Sequence, residues 1–369
     1  MTPWLSVIIP ACNAEDYIED CILSLGHIGS HIRDVFVIND ASRDRTGDIA
    51  RRTYDIPVTV IDLHAPSGPS KCRNIGLNMS DGSHVMFVDA DDTIDKNTAL
   101  LLEHAQSYDY MCGLHKQVRS DSKNAVISES VNWCGLENGD FSTGCLCQFE
   151  RERLQEYMAD YLRYPREYCL FEHCWGRVFK LSVLNRWMIR FTESAVQLED
   201  VEFNLDYLGI AESIGVLQLP VYNHMIRKRD QRLSNKAGLH LDVHERLEVV
   251  SVKTRGLLDS SINMETGLVL SNSYKASKMS GYIAKICLRD EVSANSQEAL
   301  KSLIGRYRDE QYWRYFMRRD DESKLLQFLL RYRFSPRMTY YTFRLRKEIY
   351  AMLARLVNLF GRDSTHKAQ

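Results

Sequence analysis

Three carboxylates, Asp89, Asp91 and Asp92, follow directly on the apolar run Val85-Met86-Phe87-Val88. The run reads as a buried strand. In extended backbone, residues two apart point to the same side, so Asp89 and Asp91 are expected to face together. Two carboxylates that close repel one another unless a cation lies between them. Mg²⁺ and Mn²⁺ take oxygen ligands, commonly one or two carboxylates together with substrate phosphates. The competing account is an Asp-rich turn that caps a helix starting at about Lys96.

Other residues carry complementary chemistry. The stretch Ala65-Pro66-Ser67-Gly68-Pro69-Ser70 runs into a helix beginning near Ser70. The N–H groups of a helix start favour an anion. Lys71 and Arg73 add positive charge there, and Arg73 could instead pair with Asp91 or Asp92 and orient them. No G-x-x-x-x-G-K-[ST] or G-x-G-x-x-G is present, which excludes an ATPase loop and a dinucleotide fingerprint. Glu199 and Asp200 open a helix whose apolar face is Val201, Leu205 and Leu208, where the helix dipole favours acids. His224 is a candidate metal ligand or else a packed histidine. Arg227, Arg229 and Arg232 read as anion clamps or solvated charges. Cys134, Cys145, Cys147, Cys169 and Cys174 lack paired C-x-x-C knuckles, so small buried thiols fit better than a zinc site.

The elements that must position these groups alternate. Strands are expected at 5–9, stopped by Pro10, and at 34–38, 58–61 and 85–88. Helices fit 15–25, 46–54 and 70–79. Nearly continuous apolar strands joined by helices imply a mostly parallel, Rossmann-like sheet with helices on both faces. Ligands bind such sheets outside the carboxyl ends of the strands. Pro10-Ala11-Cys12-Asn13, Asn39-Asp40 and Asp89-Ala90-Asp91 all fall at those ends.

The ordered segments Ser6-Val7-Ile8-Ile9-Pro10-Ala11-Cys12-Asn13, Val37-Ile38-Asn39-Asp40-Ala41-Ser42-Arg43-Asp44, Cys72-Arg73-Asn74-Ile75-Gly76-Leu77 and Phe87-Val88-Asp89-Ala90-Asp91-Asp92 resemble those of the family 2 glycosyltransferases. The resemblance covers about residues 4 to 235. It implies a GT-A fold and a nucleotide-diphosphate sugar, with uracil the commonest base. By it, Pro10, Ala11 and Asn13 would line base and ribose, Asp40 would bond the uracil edge, and Arg73 would face the diphosphate. Asp89 and Asp91 would hold ribose and metal, with His224 as a further ligand. Asn39, Ala90, Trp175 and Arg227 complete the implied donor side. Asn39 departs from the pattern, which usually carries an acid there. Trp175-Gly176-Arg177-Val178-Phe179 resembles the acceptor-side segment, and Asp200 of the Glu199-Asp200 pair would be the general base. The resemblance implies Mn²⁺ or Mg²⁺, a UDP-sugar donor, and a cell-surface glycan or lipid-linked acceptor.

A net charge of −2 argues against a general nucleic-acid binder. Ten cysteines without regular pairing, and no leader-like N-terminus, suggest a reducing cytoplasm. No stretch approaches the ~18 apolar residues of a membrane span. The expected organisation is a nucleotide-sugar-binding half at 1–110, an acceptor-binding half at 111–235, and a helical region at 236–369. Residues 311–369 hold 13 Lys plus Arg against 5 Asp plus Glu, which marks them as a basic segment. Within it Leu345, Ile349, Met352, Leu353, Leu356 and Phe360 fall on one helical face. Such a helix can lie on the anionic inner face of the cell membrane or pack on its own domain or a second subunit. Two other function classes stand beside the transferase. One is a nucleotidyltransferase making nucleotide-sugars, which would want a Gly-rich loop after strand one. The other is a non-catalytic glycan-binding relic.

Overall fold

The computed structural model describes residues 2–120, 126–136, 145–165, 167–195, 197–227, 243–258 and 264–287. The chain divides into two compact units. The first comprises Met1–Tyr161, Pro165–Arg232 and Val249–Asn263, the second Leu162–Tyr164, Leu233–Glu248 and Met264–Gln369.

The first unit opens with strands β1 (Leu5–Ala11), β2 (Ile32–Asn39), β3 (Val58–Asp62) and β4 (His84–Phe87). They lie in the order β3-β2-β1-β4, all parallel. Helices α1 (Ile18–Ser24), α2 (Thr46–Ala50) and α3 (Pro69–Met79) connect them. Alternate residues of β1 and β2 serve two cores. Leu5, Val7 and Ile9 pack with Ile18, Ile22 and Ile49. Phe36 and Ile38 pack with Cys72 of α3 on the other side. Both faces are therefore covered, as the apolar runs require. Gly76 lets α3 come close, since a Cβ there would lie 2.4 Å from Cγ2 of Ile8.

The first strand does not stop at Pro10 as expected. Pro10 pairs in register with Ile38, and Ala11 with Asn39. Ile8 gives its carbonyl to Val88, so Pro10, two residues on, turns the same way, where the β4 ladder has already ended at Phe87. The missing N–H of proline faces no strand there, and the ladder to β2 continues.

Beyond β4 the sheet becomes mixed. The elements in order are β5 (Thr93–Ile94), α4 (Thr98–Ala105), β6 (Tyr110–Ser120), β7 (Val126–Asn132), β8 (Leu146–Gln148), α5 (Arg151–Arg163), β9 (Arg177–Lys180), α6 (Leu181–Arg186), α7 (Glu199–Leu208) and β10 (Ile214–Arg227). β9 joins β4 and β6 antiparallel to both, β10 lies parallel to β6, and β5 and β8 pair antiparallel with β10. Residues from both expected halves thus share one sheet. Next come α8 (Val243–Gly256) and α9 (Met264–Cys287), and in the second unit Lys275 of α9 bonds Glu248 of α8 at 2.6 Å. Among the described residues no helix is long and apolar enough to cross a membrane. The basic stripe of 343–360, with Arg229 and Arg232, lies outside the described residues.

Candidate active site

Strand order reverses at β1, whose neighbours are β2 on one side and β4 on the other. The carboxyl ends of β1 and β4 therefore flank a crevice, the usual place for a ligand in an open α/β sheet. The functional side chains gather around it.

Asp40, buried behind β2, accepts the N–H of Ser67 at 2.6 Å and that of Gly68 at 2.9 Å. Gly68 has φ 85, open only to glycine at low cost, and Pro69 begins α3 directly after it. The anion expected at this helix start is thus the protein's own Asp40 carboxylate. Asp40 fixes the 65–69 loop against β2. Asn39 beside it donates to Asp62 at 2.7 Å, and Asp62 is also paired with Arg51. Asn13, held at φ 50, receives the N–H of Arg43 at 2.9 Å and gives its own to Ser42 at 3.0 Å, which clasps the loops after β1 and β2 together.

Arg73 is the hub. Its Nη1 donates to Asp200 at 2.8 Å and its Nη2 to Asp89 at 2.9 Å, with Glu199 4.0 Å away. The expectation that it pairs with Asp91 or Asp92 is corrected. α3 points this side chain between the end of β4 and the start of α7, and the guanidinium is 4% exposed. Cys174, fully buried, lies among Arg73, Asp89 and Asp200, and burial pushes its thiol well up.

The chain after β4 turns instead of continuing extended, for Asp92 N–H bonds the Asp89 carbonyl at 3.0 Å. The expectation that Asp89 and Asp91 share one side of an extended strand therefore fails. The turn sends the three acids different ways. Asp89 goes to Arg73. Asp92, 1% exposed, receives the N–H of Met225 at 2.8 Å and lies 3.2 Å from Nδ1 of His224. Asp91, partly exposed, gives its carbonyl to Arg227, whose guanidinium also lies 4.1 Å from the centre of the Tyr17 ring. Ala90 is buried in the turn. Tyr222 accepts the N–H of Asp89 at 3.0 Å and stacks on Trp175 at 4.3 Å. Trp175 is 3% exposed and stacks on His173 and His224 as well, so it braces the strand-four edge from behind.

Acids outnumber the cation. One guanidinium meets Asp89 and Asp200, with Glu199 close by. Burial lifts the Asp89 carboxyl above its usual range, with Arg73 pulling it down. Burial and the neighbouring Asp200 raise Glu199 to about 7. Burial opposes the charge on Arg73, but its acids, Asp200 foremost, hold its pKa well above the guanidinium value. Among the described residues no three His, Cys, Asp or Glu form a group able to hold a metal ion.

Local pattern did not reveal the Asn74 clasp on Phe191, the Cys174 contact or the Tyr222 bond. Their partners lie far along the chain. Only the position of Asn74 beside Arg73 offered a signal.

Residues 6–182 match the description Glycosyl transferase family 2. These residues belong to that family. Among similar proteins, the "Uncharacterized glycosyltransferase EpsJ" of Bacillus subtilis (strain 168) is 26% identical over 227 residues, covering 60% of this chain and 61% of its own. The "Poly(ribitol-phosphate) beta-N-acetylglucosaminyltransferase TarS" of Staphylococcus aureus (strain MW2) is 24% identical over 298 residues, covering 78% of this chain and 47% of its own. The chain thus spans about half to three fifths of the length of these curated relatives. Of solved structures, S. aureus TarS 1–349 in complex with UDP-GlcNAc superposes with a TM-score of 0.56 at 19% identity, covering 95% of this chain and 92% of that one. The chain shares the GT-A fold with that structure.

Proposed function

We propose that this family 2 chain is an inverting glycosyltransferase. It moves a sugar from a nucleotide-diphosphate donor, a UDP-sugar, to a hydroxyl of a cell-surface polymer or lipid-linked acceptor. One observation carries the reading. Arg73 joins Asp89, at the donor-side end of β4, to Asp200, the candidate base at the start of α7. A transferase needs those two groups on either side of one sugar. The similarity to TarS, whose name states a poly(ribitol-phosphate) acceptor and which was solved with UDP-GlcNAc, supports a cell-wall polymer and a uridine donor.

Asp200 takes the proton of the acceptor hydroxyl as its oxygen bonds C1 and the C1–O bond to the diphosphate breaks. Attack from the face opposite the leaving group inverts the anomeric centre. The pairing to Arg73 keeps Asp200 aimed. The 65–69 loop, pinned by Asp40, and the clasp of Asn13 on Arg43 shape the nucleotide side. The resemblance implies Mg²⁺ or Mn²⁺ here; with Asp89 engaged by Arg73, the partly exposed Asp91 is the carboxylate that would hold it, and the ion would neutralise the departing diphosphate. His224 orients Asp92 beside them.

The test is hydrolysis of a panel of nucleotide-sugars, UDP-GlcNAc first, with and without Mn²⁺. The expected result is release of UDP from at least one donor, lost in Asp200→Asn in the presence of acceptor. Failure of UDP to bind, with or without Mn²⁺, would overturn the reading.

A further inference from the structure

α3 grips the base helix through two consecutive residues. Arg73 holds the carboxylate of Asp200 with Nη1 and that of Asp89 with Nη2, at 2.8 and 2.9 Å. Asn74 holds the segment that leads into α7. Its Nδ2 donates to the Phe191 carbonyl at 2.9 Å and to Oε1 of Glu193 at 3.0 Å, and its Oδ1 accepts the N–H of Phe191 at 2.9 Å. The Phe191 ring lies 5.3 Å from the guanidinium of Arg73 and stacks on Phe203 of α7 at 3.9 Å and 3°. Guanidinium, lead-in segment and base helix form one packed piece. Both α3 residues are buried, at 4% and 7% exposure, so neither grip is a loose surface contact.

We propose that Arg73 and Asn74 are positioning residues for Asp200, and that Arg73 makes the aim of Asp200 depend on what Asp89 binds. The inference rests on the reading of Asp89 as donor-side and Asp200 as base. The guanidinium is a rigid plane with a fixed fork of donors. Its Nε–H has no hydrogen-bond partner among the described residues, so there only the two carboxylate bonds of its N–H groups fix its tilt. A donor that draws on Asp89 turns that plane and moves Asp200 with it. Asn74 limits the movement to a small rotation, because the chain entering α7 is held on both its carbonyl and its N–H. The result is ordered use of the site. The base is aimed only when the donor is in place, so an acceptor that arrives first meets an unready carboxylate.

The experiment follows hydrogen exchange of the amides of Glu199–Leu208 with and without UDP plus Mn²⁺. Wild type is compared with Arg73→Lys, Asn74→Asp and the double variant Asn74→Asp/Glu193→Gln. A lysine keeps the charge but cannot fork between two acids. UDP plus Mn²⁺ is expected to slow exchange in the first turn of α7 in wild type. In Arg73→Lys that response is expected to vanish while UDP affinity by calorimetry stays within about threefold. Turnover of the donor found in the hydrolysis panel then falls about 10²-fold, the scale of a misplaced catalytic group. Asn74→Asp should lower kcat at least tenfold with the donor KM held. Adding Glu193→Gln, which returns an N–H donor to the pair, should recover part of it. Failure of UDP to bind wild type sinks the donor reading and the coupling with it. Binding without any α7 response sinks the coupling alone. Should Arg73→Lys not fold, the Asn74 variants decide. Equal loss of melting temperature in both, with normal kcat per folded molecule, marks Asn74 as merely structural and overturns its role.

Discussion

At the scale of single residues, the chemistry turns on where Asp89, Asp91, Asp92, Glu199 and Asp200 send their oxygens. Asp200→Asn keeps shape and loses the proton acceptor. It is expected to lower kcat by about 10²–10⁴-fold with UDP affinity retained, and equal losses in both would assign Asp200 to structure. Asp91→Asn should weaken Mn²⁺ binding in the presence of UDP, measured by calorimetry, and unchanged affinity would remove Asp91 from the ligand set. Glu199 gives a pH signature. Its folded pKa, raised to about 7 by burial and then Asp200, exceeds the ordinary 4.5. A raised acid stabilises the fold fully below about 4.5, and that contribution is lost as pH rises through about 7. Glu199→Gln carries no such loss. Its melting temperature relative to wild type should therefore climb between pH 5 and 8, and a difference constant across that span would refute the placement. The pair Glu199-Asp200 was legible in the sequence because it opens an amphipathic helix. Its engagement with Arg73 was not, since the contact spans 127 residues and leaves no local trace.

At the scale of elements, α3 carries more of the site than its length suggests. Its start is held by Asp40, its middle aims Arg73 and Asn74, and Gly76 lets it sit close on β1. Gly76→Ala would set a Cβ 2.4 Å from Ile8 Cγ2. Overpacking of this kind costs about 1–3 kcal/mol, so a lower melting temperature together with weaker UDP binding is expected. A variant as stable as wild type would show that α3 shifts freely. The apolar runs of β1, β2 and β4 gave their strands away, because a strand buried on both faces has no polar alternation to confuse it. The Asp89–Asp92 turn was misjudged for a related reason. The apolar run predicts strand up to Val88, and nothing local says that the next residue must bend so that Tyr222 can take its N–H.

At the scale of the whole molecule, one sheet spans the parts of the chain that the resemblance divided into donor and acceptor halves. Unit assignment places the described strands in a single body, whereas α9 belongs to the second unit. For the basic segment 311–369, co-sedimentation with anionic liposomes decides between the two sequence readings. Binding that falls as salt rises marks a membrane-surface helix, since such attraction is screened over ~10 Å at 0.1 M. No binding, with an oligomer dissociated by Leu353→Asp, marks a packing face.

The long strand β10 has a consequence for synthesis. It lies between β6 and β5, pairs with β8, and delivers Tyr222 beneath Asp89. All of these partners precede it in the chain, β6 by about a hundred residues. On the ribosome, at roughly 5–20 residues per second, the turn after β4 therefore waits on the order of 5–20 s for the Tyr222 that holds it. During that interval β6 presents an open edge, a row of unpaired N–H and C=O groups that another strand could add to.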